Sequence, residues 1–179
     1  MLYLALLTMT LATSQTLKLE VSRTVEEFLS QLALTPTYHA VVISDQVPEG
    51  AAVLHVVNTA GEDTAFFLFE RGLLLELTRR ERRVLIGHEV GHLAPECQPW
   101  KRRIYQELCA DAVSLRFVPV EDVLGMLSKS IRMFPYYFAR QEFVLRLAVI
   151  QGKSSVGKAK PTVFRSSGAS AKDAWMDCD

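Results

Sequence analysis

The sequence predicts an α+β fold: a group of short strands, then a helix that carries two histidines, a second helix that carries carboxylates, and further helices towards the C-terminus. Three observations point there. Strand-like segments cluster between residues 38 and 70, apolar spacings of three and four dominate on either side, and the histidines of His88-Glu89-Val90-Gly91-His92 fall four apart. A length of 179 residues suits one domain, large enough to bury a core without metal or disulfide support. The balance of 20 basic and 20 acidic residues creates no field to gather nucleic acid or an anionic membrane. No apolar run is long enough to span a bilayer.

Residues 1–17 carry no charge, and Leu2 to Leu11 is a short apolar run followed by Ala12-Thr13-Ser14. Residues 1–14 therefore read either as a signal peptide without its basic start or as an N-terminal element packed on the domain, and the protein as exported or cytoplasmic accordingly. Export makes Cys97 and Cys109 the pair and leaves Cys178 odd; a reducing compartment leaves all three as thiols. From Ser22, the spacing of Val25, Phe28, Leu29 and Leu32 predicts an amphipathic helix ending before Pro36. Tyr38 to Ser44 reads as a strand closed by a turn at Asp45 to Gly50. Ala52 to Val57 and Ala65 to Glu70 read as a hairpin around Gly61, Glu62 and Asp63. His55, alone between Leu54 and Val56, reads as a packed or surface histidine.

Thr78 followed three residues later by Glu81 is a capping box that starts the next helix, and Pro95 bounds it. On that helix His88 and His92 lie one turn apart on one face, so both imidazoles reach a single ion. Glu89 projects beside them, where a carboxylate takes the proton of a water activated by zinc. Ile86, Val90 and Leu93 supply the apolar side. Lys101 to Phe117 reads as a second long helix whose stripe Ile104, Leu108, Leu115 also carries Glu107 and Asp111. Carboxylates on a buried face need partners, and Glu107 as third zinc ligand with Asp111 accepting from a zinc-bound imidazole provides them. Glu121 to Met133 and Tyr136 to Gln151 read as two more helices. The domain is thus 15–151, and 152–179, rich in Ser, Gly, Ala and Lys around Trp175 and Cys178, reads as a tail.

At these residues the chain resembles a gluzincin metallopeptidase, and within that class the catalytic core of the CAAX prenyl protease type 1 and HtpX-like group. Gly72 to Leu77 leads into the HEVGH helix as in that group, and ELCAD, with Glu107 and Asp111, matches its ExxxD pattern. Asn58-Thr59-Ala60 resembles the stretch at the rim of its substrate cleft, and Pro135 and Arg140 keep the spacing of a later His-Pro segment and its arginine. The resemblance spans about Asn58 to Leu147. It implies a minimal zincin-like domain, with a small sheet packed on the HExxH helix and the glutamate helix, binding one Zn2+ through His88, His92 and Glu107. Glu89 is the implied general base, Arg140 a catalytic donor, Asp111 the outer partner, and Asn58 and Ala60 contacts for a peptide or protein substrate. Phe134 replaces the group's oxyanion-binding histidine, which makes Arg140, then Tyr136 or Tyr137, the donors expected in its place. The group's membrane spans are missing. Substrate is expected along the strand Ala65 to Phe69. Two other functions share the motif: a cytoplasmic protease of the phage-repressor-cleaving kind, and a zinc-stabilised binding module without activity.

Overall fold

The computed structural model describes residues 2–98, 102–135 and 140–156, with side chains described from residue 15 and up to residue 152 outside the gaps and Arg140. Tyr136, Tyr137 and the tail residues Trp175 and Cys178 lie outside the described residues, and the side chain of Arg140 does too. The architecture is α+β, with six helices and one three-stranded mixed sheet among the described residues.

Helix α1 spans Leu2–Gln31. It is longer than the segment expected from Ser22, because the apolar spacing continues backwards through Val21 and Leu17, both buried with Val25, Phe28 and Leu29. Strands β1 (Tyr38–Ser44), β2 (Ala51–Val57) and β3 (Asp63–Glu70) follow, close to their expected bounds. The order is β1-β3-β2: β3 runs parallel to β1 and forms the expected antiparallel hairpin with β2. Alternation gives the sheet one buried face, on which Val41, Ala51, Ala65, Phe67 and Phe69 meet the helices.

Helix α2 (Arg71–Glu76) turns the chain into α3 (Arg79–Gly91). Both bonds of the Thr78–Glu81 capping box are formed, and buried Glu81 also accepts from Lys129 Nζ at 2.8 Å, tying the start of α3 to a later helix. Helix α3 ends at Gly91, four residues ahead of the bounding Pro95, with His92 as its C-cap. Then come α4 (Arg103–Ser114), α5 (Val120–Met133) and α6 (Arg140–Val156). The break expected at Gly152 is absent, since α6 continues through it. No helix among the described residues is long and apolar enough to cross a membrane.

What positions the site is the contact of α3 with α4. A Cβ added at Gly91 would stand 3.1 Å from the Ala110 carbonyl oxygen and 3.2 Å from its Cα, so a larger residue would push the two backbones apart by a few tenths of an ångström. One turn earlier, a Cβ at Gly87 would come within 2.8 Å of the Phe28 ring of α1. The two glycines of GHEVGH thus form the packing face of the helix whose neighbouring positions carry the histidines. Cys97 and Cys109 are disulfide-bonded, with Cα atoms 5.5 Å apart, and so tie the α3–α4 loop to the middle of α4.

Candidate metal centre

Helix α3 supplies His88 and Glu89 from its last turn and His92 from its cap, while α4 supplies Glu107 and, one turn on, Asp111. One ligand atom from each of His88, His92 and Glu107 lies within 4.8 Å of the others, a group able to hold a metal ion. The two rings are nearly perpendicular, at 86°, with centroids 4.8 Å apart. His88 Nε2 stands 3.1 Å from Glu107 Oε2 and His92 Nε2 3.7 Å from Glu107 Oε1, so both imidazoles turn the same nitrogen towards one carboxylate.

The orientation of His88 is set from behind. Its Nδ1 lies 2.9 Å from Asp111 Oδ1, and since an ionised carboxylate only accepts, Nδ1 donates; Nε2, which faces Glu107, is the nitrogen a metal ion would take in place of its proton. Asp111 is 2% exposed. It is held in turn by Arg146 of α6, whose Nε and Nη2 donate to its two oxygens, each at 2.8 Å, while Nη1 donates to Glu107 Oε2 at 3.0 Å. One buried guanidinium therefore clamps both carboxylates of the ExxxD pair.

The side chain of Arg140, the arginine expected at the site, lies outside the described residues; among those described, Arg146 is the arginine that holds the metal-group carboxylates, and sequence reasoning missed it. A signal was present. Phe143, Leu147 and Ile150 make the inward stripe of α6, and Arg146 falls within it, the same charge-on-a-buried-face pattern that singles out Glu107 and Asp111.

Electrostatics in this pocket follow from burial and close charges. For His88, burial pulls the pKa down, but the bonds to Asp111 and Glu107 and the charge of Asp111 outweigh it and carry it up to about 10. Burial and the neighbouring His88 charge push His92 down to about 4. Burial raises Glu89 to about 7, where a carboxylate can both take and return a proton near neutral pH. Burial also opposes ionisation of Glu107, yet the His88 bond and the charges of His88, Arg146 and His92 hold it well below the usual carboxylate range.

These groups line a cavity of about 430 Å³ together with Ala51, Ala52, Val53 and His55 of β2 and with Glu49 and Arg103. Substrate was expected along Ala65 to Phe69, but β3 is the central strand and is hydrogen-bonded on both sides, so it has no free edge. The strand beside the cavity is β2, which has β3 on one side and no strand on the other among the described residues. His55 lines the cavity with its Nε2 2.5 Å from Asp63 Oδ1.

Asn58 and Ala60 are not brought to the metal group. They lie exposed in the β2–β3 turn, where Asn58 Oδ1 accepts from the backbone of Ala60 and Glu62, each at 2.9 Å. An Asx turn accounts for that asparagine. Phe134 caps α5 and packs on the core; its ring would meet a Cβ on Gly50 at 2.9 Å, and Gly50 itself has φ +82°. It does not line the cavity, so a histidine there is not what this site lacks.

Comparison of the chain with protein-family models, with curated proteins and with solved structures finds no match.

Proposed function

We propose that the protein is a zinc-dependent metalloendopeptidase with a zincin-like fold of the gluzincin type, His88, His92 and Glu107 holding one Zn2+. The donor set fits such an ion. Two imidazoles and one carboxylate are three ligands of the kind that leave a fourth position open on catalytic zinc. The surrounding charge fits as well, because the buried carboxylates Glu89, Glu107 and Asp111 outnumber the buried guanidinium of Arg146, and a divalent cation would offset that excess. When bound, zinc supplies Lewis-acid polarisation and a water of lowered pKa.

The observation that carries the reading is Glu89, buried beside the ligand trio without being part of it. It takes a proton from the attacking water and returns it to the leaving amine. Asp111 keeps His88 in the tautomer that presents Nε2, and Arg146 keeps Asp111 and Glu107 ionised and in place. A substrate backbone is expected to add along the outer edge of β2, above these groups.

The test is zinc content by elemental analysis together with turnover of unfolded casein. Glu89→Gln preserves shape and all three ligands, so it should retain zinc while hydrolysis falls about 100-fold or more. A variant that keeps full activity would overturn the assignment. A zinc-loaded wild-type chain that never cleaves casein would point instead to a binding module.

A further inference from the structure

Glu49 and Arg103 face each other across the cavity. Glu49 stands in the loop just ahead of β2, Arg103 is the first residue of α4, and the two are joined by a forked ion pair, Nη1 to Oε1 at 3.1 Å and Nη2 to Oε2 at 2.5 Å. Both line the cavity. Both are also open to solvent, with side chains 53% exposed for Arg103 and 41% for Glu49.

Position makes this more than a surface pair. Arg103 precedes Glu107 by four residues, one helical turn on the same face, so its guanidinium stands about one turn from the metal group. Glu49 and Glu89 line the same cavity. A peptide laid along β2 from Ala51 to His55 must pass the pair. The Arg103 fork is shaped for a carboxylate and already holds one, and α4 begins without a side-chain cap, so its positive end adds to the attraction.

We propose that Arg103 is a specificity-determining residue of this cleft, and that an acidic side chain within about two residues of the scissile bond displaces Glu49 from it. The inference rests on the peptidase reading. Glu49 is then an internal stand-in for the substrate carboxylate. It keeps Arg103 oriented in the free protein and, since an exposed pair is worth little, gives way readily. Peptides with an amide or a basic side chain at that position leave the pair closed and bind less well.

The experiment begins from the sites at which the zinc-loaded wild-type chain cuts casein, read by mass spectrometry. A labelled octapeptide around one site is made with Glu or Gln at each position within two residues of the bond. Binding to the zinc-loaded Glu89→Gln chain is measured by fluorescence anisotropy, so no turnover is needed. At one position Glu should bind about five- to ten-fold more tightly than Gln. Arg103→Gln should abolish that preference, Arg103→Lys should keep part of it, and Glu49→Gln should strengthen it by removing the competitor. Equal binding of Glu and Gln at every position, or a preference that survives Arg103→Gln, overturns this inference and leaves the peptidase reading standing. A wild-type chain that holds zinc and cuts no casein overturns both.

Discussion

Two arginines line the same cavity, and each holds carboxylates through its fork, yet they have opposite physical characters. Arg146 is 3% exposed and grips Asp111, itself 2% exposed, and Glu107. Arg103 grips Glu49 with about half of its side chain in water. Removing one partner from a buried pair strands a charge in a poor solvent, whereas water takes over at an exposed one. The inner pair therefore belongs to the architecture of the metal group, and the outer pair is free to exchange partners.

The largest expected effect is at the inner arginine. Arg146→Met strips Asp111 and Glu107 of the guanidinium that holds them both and should cost about 3–5 kcal/mol in the metal-free protein, with part of the loss restored by zinc. Chemical denaturation with and without a chelator measures both, and a loss below about 1 kcal/mol would abolish the contrast between the two arginines.

Next comes Asp111→Asn, which keeps the shape but not the charge behind His88. Zinc affinity should fall about 10- to 100-fold while the chain still folds, as read by competition with a chromophoric chelator. Wild-type affinity would remove Asp111 from the metal group.

The pH dependence of zinc binding follows from the same inner network. In the metal-free protein His88 keeps its proton up to about pH 10, and zinc needs the neutral ring. Each ion bound at pH 8 should therefore release about one proton from His88, and affinity should rise roughly tenfold per pH unit from 8 towards 10. Calorimetry in buffers of different ionisation enthalpy measures the release. For stability the sign is opposite: the contribution of the charged ring is complete below pH 6.5 and is lost as pH rises through about 10.

The smallest effect belongs to the outer pair. Arg103→Gln should change stability by less than about 1 kcal/mol, and the difference from wild type should shrink further in 1 M salt. A larger, salt-resistant loss would mean that the clasp is structural and would erase the distinction drawn between the two arginines.

Much of this was legible in the chain because it is local. The Thr78–Glu81 box, the one-turn spacing of His88 and His92, and the four-residue spacing of Glu107 and Asp111 are consequences of helical geometry, and so are written in sequence offsets. Strand bounds were legible for the same reason, since alternation has a period of two and turns have their own chemistry.

Strand order was not legible. Nothing within β3 says that β1 will pair on its free side, and that pairing moves the open edge beside the cavity from β3 to β2. Nor do offsets tell which residues of separate helices meet. Arg146 reaches Asp111 across 35 positions, and Arg103 reaches Glu49 across 54. Gly87 and Gly91 look incidental to the metal motif until Phe28 and Ala110 stand against them. The sequence by itself determined which elements form and which side chains need a partner, because periodicity and burial cost act within a few residues. Only the tertiary structure decided which partner each one receives, because that depends on how closely packed backbones bring distant segments together.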